Sequence, residues 1–189
     1  MDKRNTGENG GIQYQKSLST PIDICKYIMN GCVEEPNIPY GEDLSQDEAD
    51  RLLRLEKTRT TEELFIYPSG GEHLELPVSS IDLTEDFIIS VVPGKIDIMS
   101  ARNQLRCKRG NIIRARLDVG GRPHRNPDDT VVESPHIHVF KEGYGVRYAY
   151  PVDEKQFPHL DDPYQLLLDF LTYCNVTKRP HITRGADQW

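Results

Sequence analysis

One stretch, Leu117–Tyr150, indicates both the fold and the site: LDVGGRPHRNPDDTVVESPHIHVFKEGYGVRYAY. Three of the six histidines in the chain lie within it, at His124, His136 and His138. Turn-forming runs rich in Gly, Asn, Pro and Asp separate its strand-like parts. Polar groups this dense between strands are typical of a site held on a rigid sheet. The stretch therefore predicts a sheet that carries the three histidines.

Strand-like segments continue on the N-terminal side of this stretch. Short links containing Gly, Pro and Asn separate several of them, which favours antiparallel neighbours, because parallel strands need long crossovers. The predicted strands are Leu64–Tyr67, His73–Val78, Phe87–Val92, Lys95–Cys107, Ile112–Val119, His136–Phe140 and Val146–Tyr150.

Helical patterns flank the strands on both sides. Apolar spacing and capping residues predict helices at Ile22–Met29, Gln46 to about Lys57, and Tyr164–Cys174. Residues 1–19 are polar and are predicted to be a disordered tail, which leaves 20–189 as a single domain. The fold class is α+β: a twisted antiparallel sheet or partly closed barrel of about six or seven strands, with two N-terminal helices and one C-terminal helix.

Composition favours a cytoplasmic protein. Mean hydropathy is -0.61, and no apolar run approaches the roughly 18 residues that a membrane helix needs. The N-terminus has no apolar stretch behind its charges, so no secretory signal is expected. The four cysteines show no metal-like spacing and are expected to be reduced thiols. They are Cys25, Cys32, Cys107 and Cys174.

Charge is concentrated in one basic segment. Residues 101–125 contain eight arginines and lysines against a single acid, Asp118, a local charge of +7 in a chain whose net charge is -7. The remainder of the chain therefore carries -14. A local basic segment in an acidic protein indicates an anion site rather than a generally adhesive surface.

The basic segment is predicted to form a hairpin with a defined register. A three-residue loop at 109–111 gives an apolar side with Leu105 opposite Ala115. The other side then pairs Arg106 with Arg114, Gln104 with Arg116, and Arg102 with Asp118. Like charges opposite one another destabilise a sheet, so acids from other segments or a bound anion must offset them. Two interpretations of this arginine-rich side follow: a solvated face paired with acids from other segments, or a face that binds a phosphate-bearing ligand.

The histidines allow metal-free acid–base chemistry on that ligand. One imidazole deprotonates the 2′-hydroxyl of RNA and another protonates the leaving oxygen, while an arginine stabilises charge on phosphorus. The predicted catalytic residues are His124, His138, Arg116 and Tyr148. The predicted binding residues are Arg102, Arg106, Arg114, Asn126, His136 and Arg147. Bracing of a long loop by the histidines and Asn126 is the structural alternative.

A metal site is a further alternative. His136, His138 and Glu142 resemble the first half of the cupin motif, His-x-His-x3-Glu, which implies a His-x-His metal-binding barrel. The glycine that precedes that motif is absent, since position 130 is Thr, and no second cupin segment is evident downstream, where His159 and His181 lie near helix ends. No cofactor and no metal ligand are therefore assigned.

A longer pattern resembles an uncharacterised family of bacterial and phage proteins. Its parts are Pro123-His124, Asn126-Pro127-Asp128, Pro135-His136-Ile137-His138, Glu142-Gly143-Tyr144-Gly145 and Tyr148-Ala149-Tyr150-Pro151. The resemblance implies a phage- or mobile-element-linked setting and brings no established activity.

Taken together, we expect a protein that engages a phosphate-rich ligand, with nucleic acid as the first choice and a metal-independent ribonuclease as its boldest form. A host or phage protein is the alternative partner. The acidic remainder of the chain would then act as a nucleic-acid mimic in an anti-defence inhibitor that is not an enzyme. No membrane partner is expected.

Overall fold

An eight-stranded sheet is the framework of the described residues. The computed structural model describes residues 44–97 and 99–185, and all of them belong to one compact unit. The strand order is β10-β9-β6-β5-β4-β3-β1-β11. The strands are β1 Lys57–Arg59, β2 Leu64–Ile66, β3 Leu74–Ser80, β4 Asp86–Pro93, β5 Ala101–Cys107, β6 Ile112–Val119, β7 His124–Arg125, β8 Val131–Val132, β9 His136–Val139, β10 Ala149–Pro151, β11 Val176–Lys178 and β12 His181–Thr183.

The predicted α+β class is confirmed, and two details of the predicted sheet are wrong. The sheet is open, with β10 and β11 as its edges, so it is not a partly closed barrel. It also has eight strands rather than six or seven, and β1 pairs with β11 in parallel. Strands β2 and β12 form a separate parallel pair, and β7 and β8 an antiparallel one. The extra strands have only two or three residues, too few to show an alternating pattern.

Two α-helices lie in the described residues, α1 at Gln46–Arg54 and α2 at Pro163–Tyr173. The Ser45 hydroxyl accepts a hydrogen bond from the Glu48 amide at the start of α1, and the Asp162 carboxylate caps α2. The third predicted helix, at Ile22–Met29, and the predicted tail at 1–19 lie outside the described residues. The start of the domain at residue 20 therefore stays a prediction.

The apolar face of the sheet carries the core. Both helices contribute to one cluster with the inward-facing residues of β3 to β6 and β9. The fully buried members include Leu76, Phe87, Ile89, Leu105, Leu117, Leu166, Leu167, Phe170 and Leu171. Alternation along each strand sends the neighbouring polar residues to the opposite face.

Lys57 joins both helices to the sheet. Its fully buried ammonium donates to the carbonyl oxygens of Leu53 at 2.9 Å, Leu55 at 2.8 Å and Cys174 at 3.0 Å. It also lies 4.8 Å from the centre of the Phe87 ring. Burial lowers the pKa of Lys57 to about 8.

The first helix, α1, ends at Arg54, earlier than the predicted end at about Lys57. It is shorter because Lys57 turns inward to begin β1.

The β5–β6 hairpin keeps the predicted register only in part. Leu105 lies opposite Ala115, and two further predicted pairs, Gln104–Arg116 and Arg102–Asp118, are confirmed. Nearer the turn a bulge leaves Arg114 unpaired and sets Arg106 opposite Ile113. The prediction that Arg114 shares a face with Arg106 is therefore wrong.

Instead, Arg114 is 2% exposed, and its guanidinium lies 5.2 Å from the centre of the Phe140 ring. Burial lowers the pKa of this guanidinium.

Replacement of Lys57 by methionine tests its role in joining the helices. We expect Lys57→Met to lower the free energy of unfolding by about 2–4 kcal/mol, because three buried carbonyl groups lose a charged donor. The exposed Lys178 provides the matched control, and Lys178→Met should change stability by less than about 0.5 kcal/mol. Urea denaturation measures both. Equal stability of the two variants would show that the buried ammonium does not hold the helices.

Candidate functional site

The polar face of the sheet brings the site together through strand register. Strand β6 pairs with β5 on one side and with β9 on the other, so its outward residues have neighbours on both strands. This produces two rows across three strands. The rows are Arg102–Asp118–His136 and Gln104–Arg116–His138.

Asp118 lies at the centre of these rows. Its Oδ1 accepts from Nε of Arg102 at 2.7 Å, and its Oδ2 accepts from Nε of Arg116 at 2.8 Å. Burial by itself would raise the pKa of the Asp118 carboxyl. The Arg102 hydrogen bond and the charges of Arg116 and Arg102 outweigh it and hold that pKa well below its usual range. Asp118 is therefore ionised and fixes both guanidinium groups.

Three imidazoles lie together beside this carboxylate. The ring centres of His124 and His138 are 4.6 Å apart, those of His136 and His138 are 5.1 Å apart, and those of His124 and His136 are 5.8 Å apart. In each ring, one nitrogen forms a hydrogen bond with a backbone carbonyl oxygen. The pairs are His124 Nε2 with Arg147 at 2.8 Å, His136 Nδ1 with Glu133 at 3.3 Å, and His138 Nδ1 with Val146 at 2.9 Å.

These carbonyl bonds assign the ring protons. A carbonyl only accepts, so the nitrogen that faces it carries hydrogen and the other nitrogen of a neutral ring has a lone pair. In His138 that lone pair accepts from Nη2 of Arg116 at 2.8 Å. His138 has no exposed surface and orients the Arg116 guanidinium from behind. At their second nitrogens, His124 and His136 have no hydrogen-bond partner among the described residues, and Nε2 of His136 lies 3.8 Å from Oδ2 of Asp118.

An open cleft of about 660 Å³ lies over the first row. Its wall includes Lys95, Arg102, Arg116 and Arg122, with Asp118 as the acidic lining residue, and both His124 and His136 line it. We refer to it as the basic cleft. Burial lowers the pKa of His136, which is 4% exposed, and so favours the neutral form of this ring.

Two glycines shape the cleft wall through close backbone approach. A Cβ on Gly94 would lie 1.7 Å from Oγ of Ser100, and one on Gly120 would lie 2.5 Å from the Ser100 Cβ. Gly120 also has a φ of 78°, which disfavours other residues. Any side chain at either position would force the wall apart.

His124 reaches the cleft from the loop that joins β6 to β9. The short β7–β8 pair holds this loop, and Asn126 anchors it to β10. The Asn126 side chain accepts from the Ala149 amide at 2.8 Å and donates to the Ala149 carbonyl at 3.1 Å. Asn126 therefore braces the loop, in accord with the structural alternative.

The structure unites part of the predicted site. His124, His136, Arg102 and Arg116 line the basic cleft, and His138 lies behind it. The remaining predicted residues lie elsewhere. Arg106 pairs with Glu75 at 2.5 Å, and Arg114 is buried against Phe140. The Tyr148 ring packs on Lys141 and Tyr144. Arg147 contacts His124 only through its backbone carbonyl.

Sequence reasoning missed Lys95 and Arg122 as lining residues and treated Asp118 only as a lone acid. Arg122 follows Gly120-Gly121 in the opening stretch, so the turn was a usable signal. Lys95 is distant in sequence and offered no such signal.

Glu142 is the third residue of the cupin-like pattern and does not join the histidines. Its side chain instead accepts a hydrogen bond from the Gln46 amide at 2.9 Å, at the start of α1.

Comparison with known families adds one finding. A family model, described as a family of unknown function (DUF6978), matches residues 44–176, more than half of the chain. The chain belongs to DUF6978. The match covers both helices, strands β5, β6 and β9, and all residues of the basic cleft. No curated protein and no solved structure matches the chain. Among the described residues of this DUF6978 member, no helix has the length and apolar character needed to cross a membrane.

Asp118, His136 and His138 could together hold a metal ion. Their ligand atoms lie within 4.8 Å of one another, and histidine ligands commonly donate their other N–H to a carbonyl, as these do. Arg116 competes for the same atoms, since its guanidinium already binds Asp118 and the His138 lone pair. A metal would have to displace a cation from its hydrogen-bond partners.

The Asp118 charge should appear in the pH dependence of stability. We expect Asp118→Asn to lower the free energy of unfolding by about 1–3 kcal/mol at pH 7. A folded-state pKa below the unfolded value of about 4 stabilises the protein above that pH, and the benefit declines as the pH falls below it. The difference between wild type and variant should therefore shrink below pH of about 4. Asp161→Asn, at an exposed aspartate, is the control; a pH-independent difference would contradict the assignment.

Metal content tests the competing arrangement. We expect protein purified without chelator to carry well below one equivalent of transition metal, because Arg116 occupies the ligand atoms. Chelation should leave the melting temperature unchanged. Stoichiometric zinc, iron or manganese by elemental analysis, lost in His136→Ala, would show that Arg116 moves away and that the cluster is a metal centre.

Proposed function

We propose that the basic cleft binds a phosphate-bearing ligand and that the ligand is nucleic acid. One observation carries the proposal: four cationic side chains and one carboxylate line the cleft, beside two imidazoles that each have one ring nitrogen without a hydrogen-bond partner among the described residues. The planar guanidinium group of arginine carries a positive charge and paired N–H donors that match two phosphate oxygens. A nucleic acid presents such oxygens at regular intervals along its backbone.

The chemistry that this arrangement supports is metal-free cleavage of RNA. The neutral imidazole of His136 accepts the proton of a 2′-hydroxyl, and the resulting oxygen attacks the adjacent phosphorus. The bond from phosphorus to the 5′-oxygen of the next nucleotide breaks. His124, in its protonated form, donates a proton to that leaving oxygen. The products are a 2′,3′-cyclic phosphate and a 5′-hydroxyl, with no net change in protons.

The arginines stabilise charge at phosphorus in this mechanism. Arg102 and Arg116 are held by the same carboxylate, so their positions are fixed before the ligand arrives. His138 acts through Arg116 and is a positioning residue, because it is fully buried behind the cleft. His136 therefore replaces His138 as the partner of His124 in the proposed acid–base pair.

Cleavage of a mixed RNA pool tests the proposal. We expect His124→Ala and His136→Ala each to lower kcat by roughly 10²–10⁴-fold. Wild-type kcat/KM should show a bell-shaped pH profile, and each variant should lose one limb, which a purely structural histidine would not produce. Activity should fall steeply as salt rises, because phosphate contacts release counterions.

A matched control separates catalysis from folding. His159 pairs with Asp169 and does not line the basic cleft, so His159→Ala should retain full activity. The melting temperatures of the histidine variants show whether they remain folded. If the wild-type protein leaves the RNA pool intact at low salt, with and without divalent metal, the ribonuclease proposal fails.

The competing proposal is an interaction protein. The charge of -14 outside residues 101–125 supports an inhibitor that imitates nucleic acid at a site on another protein. The phage- or mobile-element-linked setting rests on the sequence resemblance alone. Co-purification with a defined nucleic-acid-binding host protein, without RNA cleavage, would favour this second function.

A further inference from the structure

A second cavity lies on the same sheet face, beyond the second row. It has a volume of about 300 Å³ and lies between the turn that joins β5 to β6 and the turn that joins β9 to β10. Its lining includes Asn111, Ile113, Tyr144, Val146 and Arg147. We refer to it as the aromatic groove. None of these residues is needed for the proposed chemistry except as a backbone support for the histidines.

The aromatic groove lies beside the histidines of the site. Ile113 pairs with Arg106, two residues along β5 from Gln104 and therefore on the same face as the second row. The carbonyls of Val146 and Arg147, in the groove wall, accept the hydrogen bonds of His138 and His124. One two-residue segment thus separates the groove from the histidines.

Tyr144 gives the groove a rigid aromatic surface. Tyr144 is 41% exposed, and its ring meets the Tyr148 ring edge to face, with centres 5.1 Å apart and an interplanar angle of 87°. The Lys141 ammonium lies 3.7 Å from the centre of the Tyr148 ring and 5.3 Å from the centre of the Tyr144 ring, and so helps to hold both rings in place. A held, half-exposed ring is suited to stacking against a planar group.

Polar groups in the groove suit a nucleobase with its phosphate. Arg147 is exposed and forms no ion pair within the described residues. The Asn111 oxygen accepts from Arg106 at 2.6 Å, which leaves the Asn111 NH2 group as a donor for a base edge. Gly143 and Gly145 flank Tyr144 and have open space on the Cβ side, so a ligand can approach the backbone closely.

We infer that the aromatic groove is a base-binding subsite for single-stranded nucleic acid, which stacks one base on Tyr144 while a neighbouring phosphate occupies the basic cleft. This inference rests on the proposed function and specifies its substrate as a single strand, because a base in a duplex has no free face for the ring. Bases of any sequence can stack, so the subsite supplies affinity with little sequence preference.

Fluorescence anisotropy with a labelled single-stranded 2′-O-methyl RNA, which lacks the attacking hydroxyl, tests this subsite. We expect Tyr144→Ala to weaken binding by about 5- to 150-fold, the loss of one stacked base. Tyr144→Phe keeps the ring and should bind like wild type. Tyr150 is similarly exposed, at 42%, but does not line the groove, so Tyr150→Ala should have no effect.

Inorganic polyphosphate, which has phosphates and no bases, separates this inference from the proposed function. Wild type and Tyr144→Ala should bind polyphosphate equally, and both should bind it more weakly than wild type binds the RNA. If Tyr144→Ala binds the RNA as tightly as wild type, the base subsite is wrong while the anion cleft stands. If wild type binds neither polyphosphate nor RNA at low salt, both ideas fail.

Discussion

The carboxylate of Asp118 is the interaction on which the polar face depends. It holds Arg102 and Arg116 by short hydrogen bonds and lies 3.4 Å from the Nε2 atom of His138. Without it, the guanidinium groups of Arg102 and Arg116 would repel each other on adjacent strands without the carboxylate that now binds both. The network also orients both guanidinium groups toward the cleft before any ligand is present, which reduces the reorganisation that binding would require.

The two faces of the sheet separate stability from chemistry. On one face, apolar side chains pack against α1 and α2, and the buried ammonium of Lys57 joins the ends of both helices to β1. On the other face, the outward residues of β5, β6 and β9 form the two polar rows, and Arg102, Arg116, Asp118 and His136 line the basic cleft. The bulge in β6 turns the Arg114 side chain away from the basic cleft and into the protein near Phe140. Arg114 therefore contributes to the first face and not to the site.

Local pattern explains which parts of the site could be predicted. The pairs Arg102–Asp118 and Gln104–Arg116 follow from alternation and a short turn, both of which are visible in sequence. The bulge could not be read in the same way, since one extra residue changes the face of a side chain without changing composition. The pairing of β6 with β9 could not be predicted from local pattern either, because β9 lies seventeen or more residues further along the chain.

The sequence by itself determined the α+β class, the capped starts of α1 and α2, and the concentration of arginine and histidine in one part of the chain. These properties depend on residues close together in the chain, where propensity, capping and period operate. Tertiary structure decided that the sheet is open and that Lys57 begins a strand. It also decided that His136 faces the basic cleft while His138 supports Arg116 from behind. Those outcomes depend on contacts between distant segments and on burial, which no local pattern encodes.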